Sequence, residues 1–356
     1  MAGDLTGLRE GSGQSLKKGL RTAIGAAGIA AALAAAGFVG GWRYGDALFG
    51  SGSAGLSGSF EIREKGYHFI SPLLECEMGP STVGQHSLQM IDGVIEKLVN
   101  DQINGTTVKH ISVYFRDLNN GPWFGIHEDA AYSPASLLKV VIMIACLKQA
   151  EKAPGFLAER ILFPAGAEDE NRHESIRSSK QLAPGRSYTV DELIAMMIEH
   201  SDNNAMRMLL GRLDQRDLGR TYADLGLPTP ETTGKLEDFM SVRSYASTFR
   251  VLFNASYLSR DLSERALGYL SRSEFTQGLV AGVPPGTVVA HKFGERGLGK
   301  NREIKQLHDC GIVYHPSHPY LLCVMSRGDS FDRLDDVIRD ISRLVYTEVS
   351  DRLGRQ

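Results

Sequence analysis

From residue 85 onward, hydrophobic and polar residues follow first the period of a helix and then the pattern of β-strands. Across residues 85–100 the apolar positions recur at the spacing of an amphipathic helix. Residues 108–115 are rich in β-branched and aromatic side chains, and a second short run at 123–126 follows the turn-forming residues 119–121. The pattern therefore predicts a helix followed by an antiparallel hairpin.

The middle of the chain has helical periodicity with little strand signal. The segments with this period are 136–149, 190–199, 204–213 and 242–253. Thr189 followed by Glu192 has the sequence of a capping box, which predicts that the second of these helices begins there. The connecting loop 165–175 is rich in acidic and polar residues, and we interpret it as solvated surface.

Strand patterns return near the end of the chain, at residues 287–292, 309–314 and 320–325, and an amphipathic helix follows at 331–349. Strands on both sides of a helical block indicate one sheet interrupted by an insertion. We therefore predict a three-layer α+β fold over residues 85–356. In it, helices flank an antiparallel sheet, and an all-helical domain is inserted at about 136–265. A cleft between these two parts would be a natural site.

An uncharged run at residues 22–42 precedes the folded part. As a helix it would cross a hydrocarbon layer of about 30 Å. Lys17, Lys18 and Arg21 precede the run, which predicts a cytoplasmic tail at 1–21 and a single-pass signal-anchor. An exported catalytic domain would follow a linker at 43–84, in which Gly and Ser dominate residues 50–59. A cleaved signal peptide would give the same topology, and a buried Ala-rich helix is the third possibility.

Composition excludes several classes of protein. The 356 residues are 42% hydrophobic and 23% charged, as in globular proteins, and the formal net charge of -3 gives no electrostatic reason to expect a nucleic-acid partner. None of the four cysteines forms a Cys-x-x-Cys pair, so no cysteine zinc site is expected. Export would permit a disulfide between Cys310 and Cys323, but we favour free buried thiols.

The first candidate for chemistry is the sequence Ser136-Leu137-Leu138-Lys139 at the start of a predicted helix. Residues at i and i+3 project from the same helix face, so the hydroxyl and the amine can share a proton. A lysine can accept that proton only if burial or another cation keeps its amine neutral. The same spacing occurs by chance at Ser15 and Lys18, so the pattern alone is weak.

Two further short sequences are needed before this first pattern can indicate a function. Ser201-Asp202-Asn203 lies in a tight turn between two predicted helices, where Ser201 or Asp202 could simply cap the following helix. Lys292-Phe293-Gly294 ends a predicted strand, where a lysine is usually solvated.

The order Ser-x-x-Lys, Ser-Asp-Asn and Lys-x-Gly resembles the motif set of the class A β-lactamase family of serine penicillin-recognising enzymes. The resemblance covers the chain from about residue 85 to the C-terminal helix. It implies that Ser136 is the acylated nucleophile and Lys139 its proton acceptor. Ser201 would relay a proton to the departing amide nitrogen.

The same resemblance implies a set of substrate-binding residues. Asn203 would hold the side-chain amide of the substrate, and Lys292 would supply positive charge for its carboxylate. Gly294 would border the groove, and the backbone N–H groups of Ser136 and Glu295 would form the oxyanion hole.

Two positions depart from the family pattern. Phe293 stands where the family usually has a threonine or serine hydroxyl, so one carboxylate contact is lost. The family activates its hydrolytic water with a glutamate on a long loop, and here only Glu237 and Asp238 precede the helix predicted near residue 242. Glu237 is the candidate base, and an ordinary surface carboxylate is the alternative.

The sequence therefore predicts a serine β-lactamase-like hydrolase that cleaves an amide through an acyl-Ser136 intermediate, as a monomeric catalytic domain without metal or organic cofactor. The expected substrate is a β-lactam or a cell-wall peptide. If deacylation is slow, the alternative is a D-alanyl-D-alanine carboxypeptidase or penicillin-binding protein. A non-catalytic scaffold that binds cell-wall fragments is the remaining alternative.

Overall fold

An antiparallel five-stranded sheet organises the part of the chain that the computed structural model describes, residues 60–77, 83–103, 105–119, 123–300 and 302–352. The strand order is β4-β3-β11-β10-β9. The strands are β3 (Val108–Asp117), β4 (Trp123–Ile126), β9 (Val289–Leu298), β10 (Ile304–Val313) and β11 (Tyr320–Gly328). The predicted hairpin is confirmed, since β3 and β4 pair antiparallel, and β9 to β11 each extend beyond the predicted strands.

Helices cover both faces of this sheet, as predicted for the α+β fold. Alternate residues of a strand point to opposite faces, and β11 shows this directly. Its Leu322 and Val324 pack in one core with helices α1 (Val83–Gln102) and α10 (Phe331–Arg352). Its neighbour Leu321 packs in a second core with the helical block. The sheet is therefore buried on both sides.

The helical block contains the helices that the periodicity predicts and several more. Its helices are α2 (Leu138–Lys152), α3 (Val190–Glu199), α4 (Asn203–Arg212), α5 (Gln215–Asp224), α6 (Pro230–Thr233), α7 (Val242–Phe253) and α8 (Arg260–Leu270). The capping box of α3 is confirmed, because the Thr189 hydroxyl accepts from the Glu192 N–H while the Glu192 carboxylate accepts from the Thr189 N–H. The short helix α9 (Gly278–Ala281) then leads back to the sheet.

Short strands lie outside the main sheet. They are β1 (Phe60–Arg63) with β2 (Leu73–Glu77), β5 (Ala131–Tyr132) with β8 (Met240–Ser241), and β6 (Arg160–Leu162) with β7 (Ser187–Thr189). The β6–β7 pair joins the two ends of a long connection within the helical block. The prediction of an all-helical insertion is therefore wrong in this detail. Strands of three residues are too short to show a period of two.

The expectation of free thiols at Cys310 and Cys323 is wrong, because the two residues form a disulfide. They are direct cross-strand partners in the pairing of β10 with β11. Side chains opposite each other in an antiparallel pair share one face of the sheet at close range, which allows the bond. Cys146 is buried as a free thiol, and burial raises its pKa to about 12.

The predicted membrane segment at residues 22–42 lies outside the described residues, as does the predicted tail at 1–21. Of the helices that the structure does describe, none combines the length and the apolar character required to span a bilayer.

Candidate active site

Ser136 and Lys139 meet at the start of α2. A 3-10 turn at Ala135–Leu137 leads into the helix, and the turn is entered through Ala135 with a φ of 48°, in the left-handed region that non-glycine residues rarely adopt. Lys139 is 1% exposed, and its Nζ lies 2.9 Å from Ser136 Oγ. The helical spacing of three residues thus brings the Lys139 amine within hydrogen-bond distance of the Ser136 hydroxyl.

Ser201 lies in the turn between α3 and α4 and also has a positive φ, 53°. Asp202, not Ser201, caps α4: its carboxylate accepts the Ala205 N–H at 2.7 Å. Because Asp202 performs the capping, the Ser201 hydroxyl is available to the buried amine of Lys139. Lys139 Nζ lies 3.1 Å from Ser201 Oγ and donates to the Ser201 carbonyl at 2.5 Å.

Lys292 approaches the same hydroxyl from the sheet. It is fully buried in β9, and its Nζ lies 3.0 Å from Ser201 Oγ and 2.9 Å from the Phe293 carbonyl oxygen. A Cβ at Gly294 would lie 3.2 Å from the Leu137 backbone nitrogen. Glycine therefore allows the strand to pack tightly against the turn that holds Ser136. We call Ser136, Lys139, Ser201 and Lys292 the floor cluster.

Burial sets the protonation of the two floor lysines. Desolvation lowers the pKa of Lys139 to about 8, against the opposing pull of Glu174, Asp202 and Glu295, whose charges raise it. Desolvation also lowers the pKa of Lys292 far below its usual range, and the positive charge of Lys139 lowers it further. A neutral lysine amine next to a serine hydroxyl is a base that can activate a nucleophile.

Two residues of the floor cluster, Ser136 and Lys139, lie at a cavity of about 570 Å³. Ser136, Lys139, Asn203 and Glu295 all line it, so three distant parts of the sequence contribute to one site. The arrangement is suited to acyl transfer. Ser136 can serve as the nucleophile and Lys139 as the base, and the Ser201 hydroxyl lies between the two lysine amines.

A sequence model of the family described as "Beta-lactamase enzyme family" matches residues 94–349, well over half of the chain. The chain belongs to this family. The resemblance to class A β-lactamases that the motifs indicate is therefore confirmed.

Individual proteins similar to this chain are also β-lactamases. The β-lactamase of Streptomyces albus G is 24% identical over 252 residues, which are 66% of this chain and 78% of that protein. The β-lactamase of Streptomyces lavendulae is 24% identical over 241 residues, 64% of this chain and 76% of that protein.

Solved structures of related fold include a PBP-A mutant in an acyl-enzyme complex with penicillin G. It is 25% identical, with a TM-score of 0.60, and the match covers 74% of this chain and 97% of PBP-A. A β-lactamase from Xanthomonas campestris pv. campestris is 21% identical, with a TM-score of 0.60 and coverage of 74% and 99%. At 21% identity, the similarity to the Xanthomonas protein shows only that the two chains share a fold.

Phe293 replaces the hydroxyl that the β-lactamase family usually carries between the lysine and glycine of β9. Its ring stacks on Phe275 at a centroid distance of 4.2 Å and is 6% exposed. Lys292 Nζ lies 4.1 Å from the centroid of the Phe293 ring. The aromatic ring therefore packs beside the floor lysine and offers no hydrogen-bond donor for a substrate carboxylate.

The interpretation of loop 165–175 as solvated surface is wrong for its site-facing residues. Asn171 accepts the Asn203 N–H at 2.7 Å and donates to the Asp202 carboxylate at 3.0 Å. Glu174 Oε1 accepts from Asn203 Nδ2 at 2.6 Å and lines the cavity. These residues were missed because polar loop composition predicts solvation, and only long-range contacts show where the loop lies.

The carboxylate of Glu295, a residue expected to act only through its backbone N–H, joins this loop to β9. Its Oε1 accepts the backbone N–H groups of Ser175 and Ile176 at 2.5 and 3.0 Å. Burial raises the pKa of Glu295 to about 7, and the neighbouring Glu174 carboxyl raises it as well. We call Glu174 and Glu295 the mouth carboxyls.

Glu237 does not join the floor cluster. Its side chain is 57% exposed and lies 3.8 Å from Arg296. It lines a separate cavity with Tyr132 and Asp238 and is absent from the described lining of the Ser136 cavity. Asp238 is engaged elsewhere, in an ion pair with Arg327 at 2.6 Å.

Proposed function

We propose that the protein is a serine hydrolase that cleaves a β-lactam or similar amide through an acyl-Ser136 intermediate. One observation carries the proposal: the buried Lys139 amine lies 2.9 Å from Ser136 Oγ, and burial lowers its pKa to about 8. This amine is therefore about half neutral near pH 8, and serine activation requires the neutral form.

The proposed acylation begins when Ser136 Oγ attacks the carbonyl carbon of the substrate and its proton passes to Lys139 Nζ. The oxygen of the tetrahedral intermediate takes the negative charge and accepts from the backbone N–H groups of Ser136 and Glu295. As the C–N bond breaks, the nitrogen receives a proton through Ser201 Oγ, which lies between the two floor lysines. Water then adds to the acyl carbon, restores the Ser136 hydroxyl and releases the acid.

Asn203 and Lys292 are the proposed binding groups of this reaction. The Asn203 side chain lines the cavity and would donate to the side-chain amide of the substrate. Lys292 would supply positive charge for the substrate carboxylate, because a bound carboxylate favours the charged form of the amine that burial disfavours in the free protein. The acyl-enzyme of PBP-A with penicillin G supports a β-lactam as the substrate class.

A second candidate is a penicillin-binding protein or D-alanyl-D-alanine carboxypeptidase that deacylates slowly. One observation favours it: among the described residues, no carboxylate that lines the cavity comes from the connection before α7, where the sequence pattern predicts the base of deacylation. The carboxylates among the described lining residues are Glu170 and Glu174 from one loop and Glu295 from β9, while Glu237 is exposed. If none of these three carboxylates activates water, the acyl-enzyme accumulates.

The test is to incubate the full-length protein with a chromogenic cephalosporin, follow product formation, and measure intact mass in parallel. Steady turnover supports the β-lactamase, and a persistent adduct supports the slow alternative. Ser136→Ala should abolish both. Ser15→Ala, which alters the chance match to the same spacing, should change neither. The absence of adduct and turnover in the unaltered protein would leave only the non-catalytic scaffold.

We also propose, from the sequence pattern alone, that residues 22–42 anchor the protein in the membrane with the hydrolase domain exported. The domain would lie in the periplasm or at the cell exterior, so protease added to spheroplasts, in which it is exposed in either case, should digest the hydrolase domain. If the domain is digested only after the spheroplasts are lysed, the proposed topology fails.

A further inference from the structure

The mouth carboxyls face each other beside the proposed nucleophile with an acceptor left over. Glu295 is 7% exposed, and its Oε1 is saturated by the two loop N–H groups. Its other oxygen, Oε2, is buried, and no described residue donates a hydrogen bond to it. A buried carboxylate oxygen without a donor is costly, so the site is built to receive a donor.

Glu174 lines the same cavity as Glu295. It accepts from Asn203 Nδ2 at 2.6 Å, and its proximity is the second cause of the raised pKa of Glu295, after burial. Two carboxylate oxygens that face each other are both acceptors, and they can interact favourably only through something that donates to both. A proton held by one of the two carboxyls would be such a donor, in keeping with the raised pKa of Glu295.

The charged groups around the cavity do not supply the missing donor. Arg207 lies 3.3 Å from Glu170, and Arg296 lies nearest to the exposed Glu237, at 3.8 Å. The floor lysines direct their amines to Ser201, and burial lowers the pKa of both. Among the described residues, no ion pair joins a cation to either mouth carboxyl, so the negative charge that they keep is balanced only at longer range, by Lys139.

A primary ammonium group fits this environment. It carries three donors and one positive charge, so it can donate to both mouth carboxyls and neutralise the charge that they keep. Asn203 adjoins Glu174, so a substrate whose side-chain amide is held by Asn203 would bring a neighbouring amino group to the mouth carboxyls.

We propose that Glu174 and Glu295 form a subsite for a substrate ammonium group, so that the preferred substrates are amides with a primary amine next to the side-chain amide. This inference rests on the proposed function, since it concerns substrates that acylate Ser136. It makes Glu174 and Glu295 specificity-determining residues and leaves the bond-making steps to the floor cluster.

A pair of substrates isolates the effect of one amino group. Ampicillin is penicillin G with an amino group on the carbon next to the side-chain amide, and α-amines of this kind are mostly protonated at pH 6.5. We expect the full-length protein to acylate at least about tenfold faster with ampicillin at subsaturating concentration, as one charge-assisted hydrogen bond would give. Rates are read from intact mass against time.

Two variants and one control test the residues. Glu295→Gln keeps the oxygen that accepts the loop N–H groups, and Glu174→Gln keeps the oxygen that accepts from Asn203. Each should reduce the ampicillin preference to about twofold or less. Glu168→Gln, on the same loop but 75% exposed and paired with Arg172, should keep the full preference. Unchanged melting midpoints would show that the variants fold.

Equal acylation by the two penicillins in the unaltered protein would overturn the subsite, as would a preference that survives both variants. A separate arm measures equilibrium binding of each penicillin to Ser136→Ala, which cannot be acylated. If the unaltered protein is never acylated, the proposed function fails, and the subsite then stands or falls on whether Ser136→Ala binds ampicillin more tightly.

Discussion

The two lysines of the floor cluster and the two mouth carboxyls are pairs of like ionisable groups beside one cavity, and the two pairs differ in how many hydrogen-bond partners the protein gives them. On the floor, Lys139 and Lys292 share the Ser201 hydroxyl, and each amine also donates to a backbone carbonyl. At the mouth, Glu295 Oε2 receives no donor from the described residues. The hydrogen bonds of the floor lysines are complete before substrate binds, whereas at the mouth the proposed substrate ammonium group takes the place of the carboxyl proton.

The two pairs also oppose each other electrostatically. Burial lowers the pKa of Lys139, whereas the negative charges of Glu174 and Glu295 raise it. Burial raises the pKa of Glu295 to about 7, so the mouth gains charge in the same pH range in which the floor amine begins to lose its proton. The mouth therefore tunes the base on the floor without touching the nucleophile.

The largest expected effect comes from removing the floor base. Lys139→Met keeps an unbranched side chain of similar length but cannot accept the Ser136 proton. Acylation should slow by about 10³-fold, as is usual when a general base is lost. Lys148→Met is the matched control on α2, because that lysine contacts Tyr257 and Glu151 away from the cavity. Acylation rates come from intact mass, and a loss below tenfold would exclude Lys139 as the base.

The next largest effect is the pH dependence of acylation. The neutral amine is the active form, so the rate should rise about tenfold per pH unit well below pH 8 and level off above it. In Glu295→Gln a negative charge that raises the pKa of Lys139 is gone, so the midpoint should move to lower pH. A shift toward higher pH would show that the mouth does not tune the floor in this way.

A smaller effect is expected from loosening the loop that carries Glu174. Asn171→Ala removes the acceptor of the Asn203 N–H and the donor to Asp202, which should lower the free energy of unfolding by about 1–3 kcal/mol. Arg172→Ala is the control, because its exposed ion pair with Glu168 should contribute no more than about 1 kcal/mol. Urea unfolding measures both, and equal losses would mean that the loop is not held by Asn171.

The contrast between floor and mouth is also a contrast in what the sequence could predict. The helix that holds Lys139 and the strand that holds Lys292 follow from local periodicity, and short motifs mark both residues. Glu174 belongs to an irregular loop whose position depends on contacts with Asn203 and Glu295, far along the chain. Polar composition alone cannot distinguish a loop that covers a cavity from one that faces solvent.

The disulfide shows the same limit within a regular element. The strands that carry Cys310 and Cys323 were predicted, but the pairing of the two residues depends on register. A shift of one residue turns each side chain to the other face of the sheet, and periodicity does not fix such a shift. Secondary structure was therefore accessible from the sequence, and the cross-link was not.

The smallest expected effect concerns Glu237, which belongs to neither pair. Its carboxylate is 57% exposed and lies nearest to Arg296, so Glu237→Gln should change deacylation by less than about twofold. The measurement is the decay of the Ser136 adduct after excess β-lactam is removed, with Glu231→Gln on the same connection as control. A large slowing specific to Glu237→Gln would support the sequence-based assignment of the deacylation base, and it would require this loop to move toward Ser136 once the acyl-enzyme forms.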